Sequence, residues 1–349
     1  MKKVVSFSGG RTSAYLCKVM IDEFGRDNVD FIYMDTGAEH PKTYEFIKKV
    51  DKYLGLDLVC LRGQFNQELG QGHTYKIINV DDLKCDLEVF SSLTKKYGTP
   101  TVTGAWCTSR MKEETHDKYC DDAYGKGNYQ TWIGIRADEP KRVLGERLGI
   151  KWNQRGLDAY QLTITMQHLE RSPVINGISD IYAEIQERVC ITDSKNLKYM
   201  AEITDAEKQD VLEWWANARF KDYRLVKRKV KSKKQLYQKV FYWVCFDLEI
   251  DEHLGNCVFC VKKGPNKLAL AARDEPELYN QFLGLIDNAN PREDLTKKPP
   301  KEIMYRKKQS LIKIVSLYEN HTRDEIAQTI RGMKSMDTGS CSESCEVFS

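Results

Sequence analysis

Three groups of residues in this chain have types and spacings that could do chemistry. The first is the run Ser8-Gly-Gly-Arg-Thr-Ser13, which places two glycines and three hydroxyl side chains around one arginine. Glycines allow a tight turn that brings backbone N–H groups close to an anion, and hydroxyls can bond phosphate oxygens. An apolar stretch precedes the run and helical spacing follows it, so we predict a phosphate or pyrophosphate site at a helix N-terminus.

The second group consists of polar residues that follow two other apolar stretches, Asp35-Thr-Gly37 and Gly134-Ile-Arg136. A carboxylate such as Asp35 could bond ribose or adenine, or hold Mg2+ beside a phosphate. An arginine such as Arg136 could bind a phosphate or sulfate through two N–H groups. The alternatives are a capped helix start after Asp35 and a surface ion pair between Arg136 and a neighbouring carboxylate.

The third group is sulfur. Cys257 and Cys260 form a Cys-X-X-Cys pair, and Cys107 lies far upstream in the chain. Two thiols three residues apart on a turn can bind one metal centre, with Cys107 as a candidate third ligand. Cys341 or Cys345 in the C-terminal tail is a candidate fourth ligand. A redox dithiol, a zinc site with a histidine ligand, and burial of the cysteines as small hydrophobic residues are the alternatives.

The elements that must position these groups are predicted to be strands that alternate with helices. Strands are predicted at residues 3–7, 30–35, 56–61 and 129–135, with an edge strand within 62–80. Helices are predicted at residues 41–54, 81–96 and 108–119. This alternation is the pattern of a mainly parallel sheet covered on both faces, so we predict an α/β, doubly wound fold. The runs Ser8–Ser13, Asp35–Gly37 and Gly134–Arg136 each follow a predicted strand. The carboxyl ends of parallel strands form the usual binding edge of such folds.

Composition limits the classes of protein that the chain can represent. Its 349 residues are enough for one large domain or two ordinary ones, and its net charge of +3 gives no global field for nucleic acid or membranes. No apolar run approaches a membrane span and no signal peptide is evident, so we expect a cytoplasmic protein without membrane contact. The 11 cysteines are scattered and odd in number, which disfavours a disulfide framework.

Charge is locally uneven. The segment 221–239 holds nine lysines and arginines against one aspartate, with aromatic residues interleaved. It could bind a nucleic-acid backbone and stack on bases, and the alternative is a solvated lysine-rich helix or hairpin. Residues 140–196 read as an insertion, residues 266–336 as a helical C-terminal region, and residues 337–349 as a flexible tail that contains cysteines.

Together these motifs resemble the phosphoadenosine phosphosulfate reductase family, within the adenine nucleotide alpha-hydrolase-like superfamily. The resemblance spans residues 1–265, with insertions at about 140–196 and 221–239. Its motifs are, in chain order, Ser8–Ser13, Asp35–Gly37 with His40, Pro41 and Tyr44, Cys107–Lys112, Gly134–Arg136 and Gly255–Cys260. The resemblance implies a mainly parallel five-stranded sheet, an adenine nucleotide across the strand ends, and, in the cluster-bearing branch, a 4Fe-4S centre on cysteines like Cys107, Cys257 and Cys260.

The chain also departs from the family pattern. Cluster-bearing reductases usually carry a Cys-Cys pair where this chain has Trp106-Cys107, so the fourth ligand is expected elsewhere, with Cys345 as the candidate. Their catalytic cysteine lies in a Glu-Cys-Gly tail motif, whereas this tail reads Ser340-Cys-Ser-Glu-Ser-Cys-Glu346. The first loop looks more like that of superfamily members that cleave ATP between its α- and β-phosphates, with Arg11 replacing their usual lysine.

Three functional hypotheses follow. The first is an ATP pyrophosphatase of sulfur chemistry that adenylates an acceptor, uses Mg2+, and couples to sulfur transfer or nucleic-acid modification. The second is a phosphoadenylyl or adenylyl sulfate reductase, in which a tail cysteine attacks the sulfate sulfur and a thiol partner releases sulfite. The third is a non-catalytic nucleotide-binding protein with a structural metal site, which could be zinc.

The first two hypotheses assign roles to named residues. Arg11, Arg136 and Cys345 are predicted to act in catalysis. The residues predicted to bind the nucleotide are Ser8, Gly9, Gly10, Arg11, Thr12, Ser13, Asp35, Thr36, Gly37, Gly134 and Arg136. The residues predicted to bind metal are Cys107, Cys257, Cys260 and Cys345.

Overall fold

A computed structural model of the chain describes residues 1–68, 70–101, 105–139, 196–228, 236–287, 305 and 309–332. In these residues one sheet has six strands in the order β4-β3-β2-β1-β5-β6, and a second sheet pairs β7 with β8. The strands are β1 (Lys2–Phe7), β2 (Val29–Asp35), β3 (Val59–Gln64), β4 (Thr74–Ile78), β5 (Tyr129–Ile133), β6 (Leu197–Tyr199), β7 (Phe220–Arg228) and β8 (Leu236–Val244).

Helices connect and cover these strands, and a π-helix immediately precedes α4. The helices of the described residues are α1 (Arg11–Phe24), α2 (Pro41–Leu54), α3 (Glu88–Tyr97), the π-helix (Cys107–Glu113), α4 (Glu114–Tyr124), α5 (Lys208–Asn217), α6 (Pro265–Asp274), α7 (Pro276–Asp287), α8 (Leu311–Ser316) and α9 (Arg323–Gly332). None of the helices in these ranges is both long and apolar enough to cross a membrane.

The large sheet confirms the predicted α/β class. Strand β1 pairs in parallel with β2 and β5, β2 with β3, and β5 with β6, whereas the edge strand β4 is antiparallel to β3. The sheet has six strands rather than the five that the resemblance implied. The additional strand, β6, is only three residues long and gives no periodic signal of its own.

The strands at the centre of the sheet are buried on both faces, as expected when helices cover a parallel sheet. On one face, Leu16 and Met20 of α1 pack with Trp215 of α5 in one apolar cluster. A second apolar cluster contains Phe282 of α7 and Cys257 of the turn that precedes α6. The two clusters therefore bracket the sheet edge at which the predicted site residues lie.

Two helix predictions differ from the structure at their starts. The helix predicted from residue 81 begins at Glu88, because residues 80–82 form a short 3-10 turn and Leu87 has a left-handed φ of 56°. The helix predicted from Thr108 starts as the π-helix and becomes α4 only at Glu114. Both differences reflect tertiary contacts that override helix propensity.

Several predictions concern parts of the chain outside the described residues. These are most of the insertion at 140–196 and the cysteine-containing tail at 337–349, including Cys341 and Cys345. The basic segment 221–239 is described in part and forms the β7–β8 hairpin, which was one of its two structural alternatives.

Candidate functional site

The glycine loop between β1 and α1 has the shape that its sequence predicts. Gly9 has a left-handed φ of +82°, and a Cβ atom built there would lie 2.8 Å from Ile47 Cδ1. Ser13 Oγ accepts a hydrogen bond from the Ser8 N–H at 3.2 Å and donates one to the Gly10 carbonyl at 3.1 Å. The loop is therefore held in place by its own hydroxyls, and only glycine fits its tightest position.

This loop forms one wall of a cleft with an empty volume of about 430 Å3. Ser8, Gly9, Gly10 and Arg11 line this wall, and the opposite wall runs from Leu248 to Glu252 and includes Gly255 and Asn256. Because the cleft lies at the N-terminal end of α1, the backbone N–H groups and the helix dipole there favour an anion.

Arg11 joins the two walls of the cleft. Its Nε donates to Asp247 Oδ1 at 2.7 Å, and its Nη2 donates to the Leu248 carbonyl. Beyond this arginine the cleft meets a wider depression of about 930 Å3, whose lining includes Lys42 and Arg323. The same depression is also lined by Glu249, Asp251, Asp274 and Glu275, and Arg323 pairs with Asp251 and Asp274. Arg11 supplies positive charge beside the glycine loop.

Thr43 lines the same cleft and was missed by the sequence analysis. It lies in the first turn of α2, and its buried Oγ1 has no hydrogen-bond partner among the described residues. A buried hydroxyl without a partner costs free energy unless a ligand or water completes it. Its position in the first turn after Pro41 was the available signal, whereas residues 247–252 carry no motif and could be found only from the fold.

Asp35 does not line the cleft. Its carboxylate is fully buried and accepts hydrogen bonds from the Gly37 N–H at 2.9 Å, the Tyr44 hydroxyl at 3.0 Å and Arg62 Nε at 2.7 Å. Burial raises the pKa of Asp35, and the Arg62 charge and these donors oppose that shift. In this structure the Asp35 oxygens bind groups of the protein at the end of β2, and the prediction that Asp35 contacts ribose or Mg2+ stays a prediction.

The two residues after Asp35 also have positions that the sequence did not specify. Gly37 has a φ of +67°, and a Cβ there would lie 2.6 Å from Asp86 Oδ1, so this glycine is required by the turn. Thr36 Oγ1 lies 3.6 Å from Cys257 Sγ and therefore faces the thiols rather than the glycine loop.

Gly134 and Arg136 support the glycine loop from behind. A Cβ at Gly134 would lie 3.1 Å from the backbone nitrogen of Ser13, so a larger residue there would require the glycine loop to shift by a few tenths of an ångström. Arg136 is buried, donates from Nη1 to Thr12 Oγ1 at 3.2 Å, and donates from Nε to Asp138 Oδ1 at 2.8 Å. The ion pair that the sequence left open is present, and Thr12 contacts Arg136.

Cys107, Cys257 and Cys260 are brought together, although about half of the chain separates the first from the others. All three line one pocket with an empty volume of about 350 Å3, together with Phe90 and Phe259. The π-helix supplies Cys107, and the turn before α6 supplies the other two.

The arrangement of these thiols can be tested against the metal centres predicted for them. Among the described residues, Asp251, His253 and Asp274 form a group whose three ligand atoms all lie within 4.8 Å of one another. The three thiols do not meet this criterion as a set. Thiolates that share one tetrahedral zinc lie about 3.8 Å apart. The three cysteines line one pocket with apolar side chains, and the prediction that they hold a metal centre stays a prediction.

The thiol pocket and the cleft beside the glycine loop share one turn. Gly255 and Asn256 line the cleft, and the next residue, Cys257, lines the thiol pocket. This turn is joined to the end of β2, because Cys257 forms a β-bridge with Glu39 and its Sγ donates to Glu39 Oε1 at 3.4 Å. Ligands of the two sites would therefore be close neighbours.

Lys263 stabilises the same turn from inside. Its buried Nζ donates to the carbonyls of His253 and Val258 at 2.8 and 2.9 Å. Burial lowers the pKa of Lys263 to about 8, and the negative potential of Cys260 acts in the opposite direction. A cationic group thus lies behind the thiols, where it favours negative charge on sulfur.

Comparison with known proteins gives one family and several relatives. Residues 2–154 match the family described as the phosphoadenosine phosphosulfate reductase domain. An uncharacterized protein of the nin region of Escherichia phage lambda, ORF290, is 39% identical over 353 aligned residues, which cover 100% of this chain and 96% of that relative. The uncharacterized protein MJ0066 of Methanocaldococcus jannaschii is 26% identical over 136 residues, which cover 39% of this chain and 23% of that relative.

Proposed function

Because this chain belongs to the phosphoadenosine phosphosulfate reductase family, we propose that it is an adenine-nucleotide enzyme of sulfur chemistry that cleaves ATP between the α- and β-phosphates. The observation that carries the proposal is the cleft at the start of α1, with the Gly9 turn on one side and Arg11 at its rim. In this reading the loop N–H groups and Arg11 bind the phosphates.

The reaction is an adenylyl transfer. A nucleophilic atom of the acceptor attacks the α-phosphorus, the bond from that phosphorus to the oxygen bridging to the β-phosphorus breaks, and pyrophosphate leaves with its electron pair. Negative charge builds on the leaving group, so a fixed cation and aligned N–H groups stabilise the transition state. ATP brings Mg2+ with it, and the ion neutralises part of the same charge.

Arg11 has two roles in this proposal. Without nucleotide it pairs with Asp247, whose side chain is partly exposed. With nucleotide, its guanidinium exchanges this carboxylate for two phosphate oxygens, which its planar fork suits. Thr43 Oγ1 supplies a further hydrogen bond to the ligand, since its own environment leaves that hydroxyl without a partner among the described residues.

The thiol pocket gives the proposal its sulfur chemistry. Cys107, Cys257 and Cys260 would hold a 4Fe-4S cluster there, and such a group, when bound, can carry electrons or bind a sulfur atom. The residues of this chain contribute an apolar lining, a hydroxyl at Thr36 and a fixed turn beside the nucleotide cleft. The proposed reaction requires a sulfur donor and an acceptor, and nucleic acid is one class of acceptor.

Reduction of an adenylyl sulfate is the second candidate, favoured by the name of the matching family domain. The Cys345 thiolate would attack the sulfate sulfur, the bond from sulfur to the phosphate oxygen would break, and the nucleotide would leave. An external thiol would then release sulfite and form a disulfide with the enzyme. This candidate shares the nucleotide cleft and differs in its need for a tail thiol.

The experiment is a product assay on anaerobically purified protein with ATP or with either adenylyl sulfate. We expect pyrophosphate from ATP, lost in Arg11→Met and kept in the matched variant Arg331→Met, whose arginine is exposed on α9. Sulfite that disappears in Cys345→Ser would overturn the ATP proposal in favour of the reductase. Nucleotide binding without either product would identify a non-catalytic nucleotide-binding protein.

A further inference from the structure

The β7–β8 hairpin leaves the body of the protein beside the nucleotide cleft. Its strands pair in antiparallel register from Phe220 with Val244 to Arg228 with Leu236. At its root, Phe220 belongs to the apolar cluster of the large sheet. Only two residues separate Val244 from Asp247, the partner of Arg11, which is a chain length of at most about 11 Å.

Strand alternation divides the hairpin into two faces. On one face, Asp222 accepts hydrogen bonds from Lys52 and Tyr53 of α2, each at 2.7 Å, so the root of this face lies against the domain. The register places Lys221 beside Trp243, and Tyr223 beside Phe241, on the other face. We call this second face, with Lys221, Tyr223, Leu225, Lys239, Phe241 and Trp243, the aromatic face.

The aromatic face is exposed although its residues are large. Trp243 is 68% exposed and Phe241 is 56% exposed, values that are unusual for aromatic rings in a sheet. Lys221 Nζ lies 4.4 Å from the centroid of the Phe241 ring, and Lys239 Nζ lies 4.3 Å from that of Tyr223. The rings and the ammonium groups thus form one continuous surface.

The positive charge of the segment 221–239 favours an anionic partner. Residues 221–239 carry nine basic residues and one acidic residue, a formal charge of +8, whereas the whole chain carries only +3. Among the described side chains of the aromatic face, the charged ones are Lys221 and Lys239, both positive. Two copies of a face with charges of one sign repel each other, which disfavours a homodimer through this face. A polyanion is attracted to this positive charge. The exposed rings favour a polyanion whose own aromatic rings are free to stack on them.

We propose that the aromatic face of the β7–β8 hairpin binds a single-stranded nucleic acid. Unpaired bases stack on Trp243, Phe241 and Tyr223, and Lys221 and Lys239 neutralise phosphates along the strand. A duplex fits this face less well, because its bases are already stacked on one another. The bound strand lies next to the cleft that holds Arg11, which makes it a suitable acceptor if the proposed function also holds.

The test is fluorescence anisotropy of the full chain with labelled oligothymidylate or oligouridylate of about 16 nucleotides, without ATP. The Trp243→Ala change is expected to weaken binding at least about tenfold, and Trp243→Phe to retain most of it, because stacking needs a ring. Ile77→Ala removes a similarly exposed apolar side chain from β4 and is the matched control, expected to bind like the original chain.

Charge is tested separately. The double change Lys221→Gln and Lys239→Gln is expected to lower the slope of log affinity against log salt by about 1.4, since each phosphate contact on a single strand contributes about 0.7. Lys84→Gln with Lys126→Gln, at exposed lysines elsewhere, is the control and should leave the slope unchanged.

The outcomes separate this proposal from the others. Binding of Trp243→Ala within about twofold of the original chain overturns it, as does equal or tighter binding of duplex DNA. If sedimentation shows a dimer that Trp243→Ala dissociates while oligonucleotide binding is unchanged, a second copy is the partner and the proposal is wrong. Since no ATP is present, failure of this test leaves the proposed ATP cleavage unaffected, and the reverse also holds.

Discussion

Two arginine–aspartate pairs lie at the same edge of the sheet and differ in almost every property. Arg62 and Asp35 are 7% and 0% exposed at their side chains, and Tyr44 and the Gly37 N–H complete the shell around the carboxylate. Arg11 and Asp247 are 20% and 37% exposed at their side chains, and Arg11 lines the cleft beside the glycine loop. The first pair is closed to ligands, and the second is open to them.

The difference shows how a polar motif at a strand end can serve structure or function. A buried pair cannot exchange its partner without leaving a charge uncompensated in a medium of low dielectric constant. A half-exposed pair loses little when water or phosphate replaces one member. We therefore expect changes at Arg62 to affect folding and changes at Arg11 to affect nucleotide binding, and the predictions below test this separation.

The largest effect is expected from Arg62→Leu. This change leaves the buried carboxylate of Asp35 without its cation, so the free energy of unfolding should fall by about 3–5 kcal/mol. Urea denaturation followed by circular dichroism measures it. Adding Asp35→Leu should restore part of the loss, because the uncompensated charge is then gone. A loss of less than about 1 kcal/mol for Arg62→Leu would show that this pair resembles an exposed one.

The second-largest effect is expected from Gly9→Ala. The left-handed φ alone costs about 1–2 kcal/mol for an alanine, and contact with Ile47 adds to it. We expect lower stability together with weaker ATP binding, measured by calorimetry, because the loop must shift. Gly55→Ala is the matched control: it has a φ of +62° but no atom within 4 Å of a Cβ, and it is remote from the cleft. Equal ATP affinities for the two variants would contradict the prediction.

Arg11→Met is expected to separate the two pairs most clearly. Charged hydrogen bonds contribute about 1.5–3 kcal/mol, so ATP should bind about 10- to 100-fold more weakly. The free energy of unfolding should change by less than about 1 kcal/mol, because the pair with Asp247 is partly exposed. Arg11→Lys should recover part of the affinity. A large loss of stability with unchanged ATP binding would reverse the assignment of the two pairs.

The smallest effect is expected in the pH dependence of the free energy of unfolding, and it concerns the cleft wall opposite the glycine loop. Burial lowers the pKa of His253 despite its hydrogen bond to Asp274 at 2.8 Å. The unfolded chain therefore takes up this proton before the folded chain does, and stability falls as pH decreases below about 6.5. His253→Gln should remove part of that loss, and His321→Gln, at an exposed site away from the cleft wall, is the control variant. Parallel stability–pH curves for the two variants would contradict the prediction.

The sequence was sufficient for the parts of the fold that depend on local pattern. The alternation of apolar strands and helices predicted the parallel sheet, and the helix predicted from Pro41 to Leu54 has those bounds in the structure. The loop Ser8–Ser13 was recognisable because tight turns need glycine and helix N-termini need polar groups. Strand β6 and the start of α3 were not predictable, since their positions depend on distant contacts.

The candidate site was less predictable, because it depends on the register in which neighbouring strands pair. Asp35 pairs directly with Arg62 across β2 and β3, and no local pattern reveals which residues of two parallel strands become neighbours. The same limit hid the cleft wall at residues 247–252, which reaches the glycine loop only through the packing of α5 and the hairpin. The spacing of Cys257 and Cys260 predicted a pair that can bind one centre, and Cys107, a candidate third ligand in the sequence, lines the same pocket.

The turn at Gly255–Cys257 couples whatever occupies its two sides. It has little freedom to move independently, because Asn256 has a left-handed φ of 57° and Val258 N–H donates to the Ala38 carbonyl at 3.3 Å. A ligand that displaces this turn from the cleft also displaces a thiol. Binding free energies are reciprocal, so the factor by which nucleotide changes affinity at the thiols equals the factor by which a thiol-bound group changes affinity for nucleotide.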